Sequence, residues 1–312
     1  MVLDSLTYAG NPDNLAVHVR ESPRFEFWHG SVTNSEIVNA LVARADVVVH
    51  FAAESHVARS IFDNRIFFDT DVIGTQVVAN AVVKARKTVE RFIHISTSEV
   101  YGTAVESPMT EEHPLNPTTP YAAAKTGADR LVYSYYVTYG IPAVVLRPFN
   151  QYGPRQHLEK VVPRYVTSAL KGEPLTIHGD GSSRRDWGYV DDTCAAIERV
   201  MDVPLETVVG EVINLGSGRD ITVCELARMI LNAMGRPADL VRHVKERPGQ
   251  VARHIGSTAK AKALLGWEPT TSLEDGLQRT IDWYCANREW WRGLEWMKQV
   301  PTKTEEGVIE YH

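Results

Sequence analysis

Cysteines are few in this sequence, basic clusters are missing, and no apolar run approaches the roughly 20 residues that cross a membrane as a helix. The three cysteines, Cys194, Cys224 and Cys285, stand far apart, which argues against a disulfide framework and against a zinc site. A net charge of −6 without a basic run argues against nucleic acid as a partner. The N-terminus carries no signal-peptide pattern. We therefore expect a cytoplasmic protein with no metal site, no membrane partner and no nucleic-acid partner.

The composition is that of an ordinary globular protein, with 44% hydrophobic and 23% charged residues among 312. This length supplies enough apolar material for one large or two modest domains. Segments rich in β-branched residues predict buried strands, and they alternate with segments of helical periodicity. The predicted strands are 2–4, 24–28, 46–51, 91–95 and 142–146, and the predicted helices among them are 34–44, 67–84 and 121–139. This alternation predicts an α/β fold with a doubly wound parallel sheet.

The pattern changes after about residue 150, where glycine and proline become frequent and the predicted strands shorten. We expect residues 1–150 to form the parallel-sheet domain. Residues 151–312 are expected to form mainly a smaller α/β domain across the strand ends, where open α/β sheets bind ligands. Amphipathic helices are predicted at 226–234 and 273–283. We expect Trp290, Trp291 and Trp296 to belong to a packing helix rather than to a ligand platform.

The stretch from His94 to Lys125 contains the residues best suited to chemistry. A predicted buried strand ends in the hydroxyl-rich turn STSE at 96–99, and the segment YAAAK at 121–125 opens a helix. Tyr121 and Lys125 are four residues apart and therefore share one face of that helix. Because a nearby ammonium favours the phenolate, we expect Lys125 to lower the pKa of Tyr121 towards neutrality. The alternatives are an ordinary surface pair and a turn whose hydroxyls only shape the backbone.

Eight short segments occur in an order that is hard to obtain by chance: LTYAGN (6–11), AAESHV (52–57), STSEVYG (96–102), YAAAK (121–125), NQYGP (150–154), RDW (185–187), RPG (247–249) and LLGWEP (264–269). In this order they resemble the extended short-chain dehydrogenase/reductases that act on nucleotide sugars. The resemblance is closest to the dTDP-glucose 4,6-dehydratases and extends over residues 2–283. It implies a Rossmann-like NAD-binding domain followed by a nucleotide-sugar-binding domain.

The resemblance also implies catalytic roles. NAD would oxidise the sugar at C4 and return the hydride to C6, while Tyr121 takes the C4 hydroxyl proton and Lys125 tunes that phenol. Glu99 would remove the acidified C5 hydrogen as a general base, and water would leave from C6. Thr97 would hydrogen-bond the sugar near O4. Ser98 occupies the position of the family's proton-donating aspartate and could only relay a proton.

Further residues match the family's ligand contacts. The substrate-binding positions implied are Ser55, Thr97, Asn150, Lys160, Arg185 and Arg247, with Arg185 as the fork that holds the phosphates. An ion pair with Asp186 or Asp191 is the alternative for Arg185. The cofactor-binding positions implied are Asp4, Ser5, Thr7, Ser31, Val32, Phe51, Ala52, Ala53, Thr70, Ser96, Tyr121 and Lys125. Asp4, at the end of a strand, favours NAD over NADP. The helices at 67–84 and 121–139 correspond to a four-helix homodimer interface.

Three departures from the family pattern keep other readings open. The glycine-rich phosphate-binding turn that opens the family has no match in these 312 residues, which suggests either an incomplete sequence or a natural non-catalytic remnant that binds nucleotide sugars. Ser98 replaces the usual aspartate, which makes a UDP-glucuronate decarboxylase or a 4-epimerase an alternative to a dehydratase. Ser31 and Asp71 replace an aspartate and an asparagine near the cofactor.

Overall fold

A computed structural model describes residues 1–246, 248–303 and 309–311 of the chain. Its strands are β1 Val2–Asp4, β2 Phe27–His29, β3 Val47–His50, β4 Arg91–Ile95, β5 Ala143–Pro148, β6 Asn150–Tyr152, β7 Leu175–His178, β8 Arg184–Tyr189, β9 Val212–Leu215, β10 Asp220–Thr222, β11 Val241–Val244, β12 Pro301–Lys303 and β13 Ile309–Tyr311. Its helices are α1 Val17–Arg20, α2 Ser35–Val42, α3 Val57–Phe62, α4 Arg65–Phe67, α5 Thr75–Lys84, α6 Pro120–Tyr139, α7 Val161–Lys171, α8 Val190–Asp202, α9 Leu205–Val208, α10 Val223–Ala233, α11 Ala259–Leu265, α12 Leu273–Ala286 and α13 Arg288–Arg292.

The central sheet is parallel, in the order β3-β4-β5-β9, with His50 opposite His94 and Ile95 opposite Leu146. A second parallel pair, β1-β2, forms a separate sheet and is attached through α2, which packs on α5. The α/β class with a parallel sheet is therefore confirmed. All these strands point the same way within their sheets, so their carboxyl ends define the edge at which polar residues collect.

Local sequence explains where the principal helices begin and end. Asn34 caps α2 by accepting hydrogen bonds from the backbone N–H groups of Glu36 and Ile37. Thr119 caps α6, and Pro120 occupies the first turn, where its missing N–H costs nothing. The same helix ends at Gly140 with a φ of 63°, a left-handed conformation that glycine adopts without strain. The predicted bounds of α6 and β4 agree closely with these elements, whereas β2 is shorter than the predicted strand 24–28.

The predicted helix 67–84 is observed as α4, a π-helical segment Phe68–Gly74 and α5 in succession. By length and composition this helix, Arg65–Lys84, could span a membrane, contrary to the expectation that no segment qualifies. Packing inside the protein also explains why this helix is apolar. In its 18-residue apolar segment 44% is buried, and α5 packs on α2 and α6. The π segment places Asp71 inside the protein.

Residues beyond about 150 build a second core. It consists of the sheet β10-β8-β6, the β7-β11 pair and the helices α7, α10 and α12. Trp291 is buried there and donates from its indole N–H to the carbonyl of Tyr284. Trp290 packs against the same core. Trp296 is 66% exposed, so the expectation that all three tryptophans pack is wrong for this one.

Candidate active site

The strand β4 delivers the hydroxyl-rich turn to the carboxyl edge of the central sheet. After Ile95 come Ser96 and Thr97, and a single 3-10 turn then covers Ser98–Tyr101. The Thr97 hydroxyl accepts a hydrogen bond from the backbone N–H of Glu99 at 3.2 Å, which fixes the turn. Ser98 is buried, whereas the Glu99 side chain remains 17% exposed and lines a cavity. The turn therefore presents a carboxylate, and not Ser98, to the cavity.

The helix α6 brings Tyr121 and Lys125 to the same place. Lys125 is buried and donates from Nζ to the carbonyl of Ile95 at 2.7 Å, and the Tyr121 hydroxyl is hydrogen-bonded to Thr97. The expected lowering of the Tyr121 pKa by Lys125 is wrong for the protein by itself. Burial raises the pKa of Tyr121, the charges of Asp71 and Glu99 raise it further, and only the Thr97 hydrogen bond acts against them. Burial also lowers the pKa of Lys125.

A buried polar network braces this turn from behind. The Asp129 carboxylate accepts from the Ser96 hydroxyl at 2.7 Å and from two nitrogens of Arg147, each at 2.9 Å. Arg147 also donates to the Tyr101 hydroxyl, which donates to Asn214 on β9. Burial opposes the ionisation of Asp129, but the Arg147 contacts and the Ser96 hydroxyl outweigh it and hold the pKa of the carboxyl below its ordinary value. The predicted cofactor residue Ser96 thus has its hydroxyl engaged in this network.

A cavity of about 400 Å³ lies between the turn and the second core. Eight of the residues predicted from the sequence line it: Ser55, Ser96, Thr97, Glu99, Tyr121, Asn150, Lys160 and Arg185. These come from strand ends and loops separated by up to 130 positions in the chain, for example Ser55 and Arg185. The lining combines hydroxyls, a phenol and a carboxylate with cationic side chains, which suits a ligand that carries both hydroxyls and anionic groups.

The predicted substrate residues differ in their contacts. Lys160 donates from Nζ to the carbonyl of Ser55 at 2.8 Å. The Asn150 amide donates to the carbonyl of Asp186 at 3.5 Å, a marginal distance. The Asp186 carboxylate, considered as a partner for Arg185, accepts hydrogen bonds from Ser217 and from the backbone of 218 and 256. Arg247 lies outside the described residues.

The predicted cofactor residues lie at the carboxyl ends of β1 to β4. Asp4 accepts from the backbone N–H of Leu6 at 2.7 Å, Ser31 is hydrogen-bonded to Thr33, and Val32 is buried. The other members of this set that lie away from the cavity are Ser5, Thr7, Phe51, Ala52, Ala53 and Thr70. Phe51 is 60% exposed and follows β3, of which only His50 is fully buried. With the two remaining donors of the Lys125 ammonium, these residues fit a bound dinucleotide.

Asp71 and His94 lie buried near the catalytic residues. One Asp71 oxygen accepts from the Glu54 backbone N–H at 2.8 Å, and the other has no hydrogen-bond partner among the described residues. Burial raises the pKa of Asp71 to about 7, against the effect of Lys125. Both ring nitrogens of His94 also lack partners, and burial keeps that ring neutral by lowering its pKa well below the ordinary value. The substitution of asparagine by Asp71 therefore introduces a titratable group behind the site.

The sequence analysis did not identify two features near the site, the residue His254 and a cluster around Glu159. His254 is fully buried, with Nδ1 facing Ser98 Oγ at 3.4 Å and Glu99 Oε1 at 3.9 Å. In a separate cluster, the buried Glu159 carboxylate accepts from Tyr8 and from Arg59, both at 2.9 Å. Tyr8 belongs to the segment LTYAGN, so its place in a motif was the one available signal. His254 lies 156 positions from Ser98 in the chain, and the neighbouring sequence carries no motif that would indicate its contact with the turn.

Comparisons with known proteins agree with this geometry. A family model described as GDP-mannose 4,6 dehydratase matches residues 1–280. The low-salt glycan biosynthesis protein Agl12 of Haloferax volcanii is 45% identical over 93% of this chain and 91% of its own length. A dTDP-glucose 4,6-dehydratase of Streptomyces niveus is 42% identical over 94% of this chain and 86% of its own. The crystal structure of DesIV, a dTDP-glucose 4,6-dehydratase from Streptomyces venezuelae with NAD bound, matches with a TM-score of 0.90 and 41% identity, covering 94% of this chain and 89% of that one.

Proposed function

The chain belongs to the GDP-mannose 4,6-dehydratase family, and from this premise we propose that it is an NAD-dependent nucleotide-sugar 4,6-dehydratase. It converts a nucleoside-diphosphate hexose into the 4-keto-6-deoxy sugar. The observation that carries the proposal is that Thr97, Glu99 and Tyr121 converge on one cavity, with Lys125 directly behind them. Relatives named as dTDP-glucose 4,6-dehydratases, at about 40% identity over nearly the whole chain, support the same reaction.

The residues of the chain divide the chemistry among them. When bound, NAD accepts a hydride from C4 and returns one to C6. Tyr121, hydrogen-bonded to Thr97, is the group that takes the C4 hydroxyl proton, and the buried Lys125 lies behind it with its ammonium on the carbonyl of Ile95. The ketone then acidifies the C5 hydrogen. Glu99 is assigned as the general base that removes this hydrogen, because its carboxylate lines the cavity. Loss of the C6 hydroxyl as water completes the elimination.

The cationic end of the cavity suits the diphosphate. Arg185 offers a planar fork of donors and Lys160 a point charge, and both are the side chains that bind phosphate oxygens. Asn150 lines the same cavity. We assign these three residues to the sugar nucleotide, Ser55 to the sugar border, and Asp4, Phe51 and their neighbours to the dinucleotide.

A 4-epimerase or a decarboxylase of the same fold is the second candidate, and one observation favours it. Ser98 replaces a carboxylic acid and faces His254 inside the protein, so it supplies no acid to the cavity. Neither epimerisation nor decarboxylation requires an acid for a departing C6 hydroxyl. The products separate the three reactions: a 4-keto-6-deoxy sugar, an inverted C4 alcohol, or a pentose with released CO₂.

The experiment that tests the proposal begins with the NAD content of the purified chain, released by denaturation and quantified. The protein is then incubated with dTDP-glucose, UDP-glucose, GDP-mannose and UDP-glucuronate, and the products are identified by mass. We expect bound NAD and a 4-keto-6-deoxy product from at least one hexose. Glu99→Gln is expected to retain C4 oxidation and lose elimination. Release of CO₂ from UDP-glucuronate, or turnover that survives Glu99→Gln, would contradict dehydration.

The chain also offers a surface for a second copy. Ile66 and Ile73 on the long helix, and Tyr133 and Val137 on α6, are each at least 43% exposed although apolar. Such a face on two neighbouring helices suits a four-helix homodimer. Light scattering should give twice the monomer mass, and Val137→Asp should reduce it to one chain. Cytoplasmic localisation is supported by three free thiols, two of them exposed, as is usual in a reducing compartment.

A further inference from the structure

The catalytic turn has a buried histidine behind it. His254 lies in the strap that follows Val251, held by a hydrogen bond from its own backbone N–H to the carbonyl of Arg184 at 3.0 Å. Its ring is fully buried and packs edge-on against Phe149. The ring reaches the underside of the turn at two points, Ser98 and Glu99. A buried imidazole in contact with a cavity-lining carboxylate is a group that the reaction as described above does not use.

The hydrogen bonds fix which nitrogen carries the proton. Nε2 lies 2.8 Å from the carbonyl oxygen of Gly102, which can only accept, so Nε2 is the protonated nitrogen of the neutral ring. Nδ1 is therefore unprotonated, and its lone pair faces the Ser98 hydroxyl at 3.4 Å and Glu99 Oε1 at 3.9 Å. The ring is thus oriented to receive a proton on the side of the catalytic carboxylate.

The charged and titratable groups around His254 act in both directions. Burial lowers the pKa of His254, Glu99 raises it, and Arg185 and His113 lower it. In the resting protein the ring is accordingly neutral at physiological pH. When Glu99 collects a proton from the substrate, Nδ1 of this neutral ring lies 3.9 Å from the carboxyl oxygen, and His254 is not among the described residues that line the cavity.

We propose that His254 is a positioning residue that shares the proton of Glu99, taking it on Nδ1 after C5 is deprotonated and returning it through Glu99 to the departing C6 oxygen. The inference rests on the proposed 4,6-dehydration. It accounts for Ser98, whose hydroxyl donates to Nδ1 and holds the acceptor tautomer instead of acting on the sugar. Within the described lining of the cavity, Glu99 is then the one carboxylate beside Tyr121, and it serves as both base and acid.

The step balances without any further reactant. The C5–H bond breaks, its electron pair passes into the enolate of the 4-ketone, and the proton goes to Glu99. The proton moves to Nδ1 of His254, which becomes an imidazolium, and the carboxylate is restored. It then returns by way of Glu99 to the C6 oxygen as the C6–O bond breaks, so that water leaves and the enolate pair forms the C5–C6 double bond. His254 ends neutral.

The first test compares His254→Gln with the matched control His113→Gln. His113 is also buried, accepts a hydrogen bond from the backbone N–H of Val105 and, among the described residues, makes no hydrogen bond or ion pair with Glu99. Because general acid–base groups contribute about 10²–10⁴-fold and His254 acts through another residue, we expect His254→Gln to lower kcat by about 10- to 100-fold with KM unchanged. Oxidation at C4 should continue, so reduced cofactor should accumulate during turnover. His113→Gln should do neither.

The second test needs no turnover and therefore separates this inference from the proposed function. The His254 ring is titrated by NMR in the wild-type protein and in Glu99→Gln. Since the Glu99 charge raises the pKa of His254, its removal should lower that pKa. If His254→Gln does not fold, Ser98→Ala serves instead, with a smaller loss of kcat and the same accumulation of reduced cofactor.

Three results would overturn the inference. The first is an unchanged kcat in folded His254→Gln, and the second is an equal slowing of C4 oxidation and elimination in that variant. The third is a His254 pKa that is the same in the wild-type protein and in Glu99→Gln. Inactivity of the wild-type protein on every hexose would count against the proposed function, and the NMR titration would still decide whether Glu99 and His254 are coupled.

Discussion

The catalytic turn and the β1-β2 pair both lie at the carboxyl ends of parallel strands, but they are supported by different means. Behind the turn, Arg147 and Asp129 are 2% and 0% exposed and tie β4, β5 and α6 together. The β1-β2 pair makes no ladder hydrogen bonds to the central sheet among the described residues, and it leaves Phe27 and Trp28 about 40% exposed. The reacting end of the site is thus fixed by buried polar contacts, and the adenosine end by helix packing and loops.

The largest expected effect comes from breaking the buried network. Arg147→Met leaves the Asp129 carboxylate buried without its principal partner, so we expect a loss of about 3–5 kcal/mol in the free energy of unfolding. Denaturant unfolding measures it. The control Arg65→Met removes a surface pair with Asp69 in which the Arg65 side chain is 87% exposed, and it should change stability by less than about 0.5 kcal/mol. Equal losses of unfolding free energy in the two variants would mean that the buried network contributes no more than a surface ion pair.

The next effect concerns chemistry at the same end without a change in fold. Tyr121→Phe removes the hydroxyl that receives the C4 proton, and we expect turnover to fall by about 100-fold or more. Tyr133→Phe, on an exposed position of the same helix, is the matched control and should retain activity. Stopped-flow absorbance of reduced NAD and product analysis measure both. Turnover of Tyr121→Phe within about 3-fold of wild type would exclude its assigned role.

At the adenosine end the expected effect is smaller. Asp4→Asn removes the charge assigned to the ribose hydroxyls, and hydrogen bonds to charged groups contribute about 1.5–3 kcal/mol, so NAD affinity should fall about 10-fold. Calorimetric titration measures this, with Asp13→Asn as the control on a neighbouring exposed loop. Stability should hardly change, because Asp4 is exposed. A large loss of stability would mean that the two ends are supported alike.

The smallest expected effect is a pH dependence of stability. His94 and His50 have pKa values lowered by burial, to about 3 for His50, so the folded state binds fewer protons than the unfolded state below the ordinary value of 6.5. Stability is therefore lost as the pH falls below about 6.5, by about 0.8 kcal/mol per histidine at about pH 6.

Asp71 works in the opposite direction. Its folded pKa is raised to about 7, so its contribution is lost as the pH rises from about 4 to 7. His94→Leu should therefore reduce the loss of stability on acidification below about pH 6.5 and leave the opposing contribution of Asp71 unchanged. Denaturant unfolding across this pH range measures both slopes.

Sequence patterns predicted the fold well where burial and periodicity coincide. The strands at Val47–His50 and Arg91–Ile95 and the helix that contains Tyr121 were located because β-branched runs and helical periodicity are local signals. The π segment at Phe68–Gly74 was not predicted, because it depends on how a continuous helix packs on its neighbours. The order of the family's sequence segments identified residues that line the cavity, but it could not predict which groups those residues contact.

Two features of the site depended on distance and burial and so escaped the sequence. The pKa of Tyr121 was expected to fall, since spacing shows that Lys125 is near but does not show that the phenol is buried beside Asp71. His254 comes to lie under Ser98 only because the strap 251–257 is hydrogen-bonded to segments near Thr103, Met109 and Arg184. Such contacts are set by the folded chain as a whole.

The cluster of Tyr8, Arg59 and Glu159 makes the two halves of the chain thermodynamically dependent on each other. Arg59 stacks over the Tyr8 ring at 4.2 Å, and both residues share the carboxylate of Glu159, whose side chain is only 1% exposed. Neither half can open without stranding a buried charge or its partners. We therefore expect cooperative melting in a single calorimetric transition. A sugar nucleotide that binds only the folded chain will raise the melting temperatures of the central-sheet core and of the second core together.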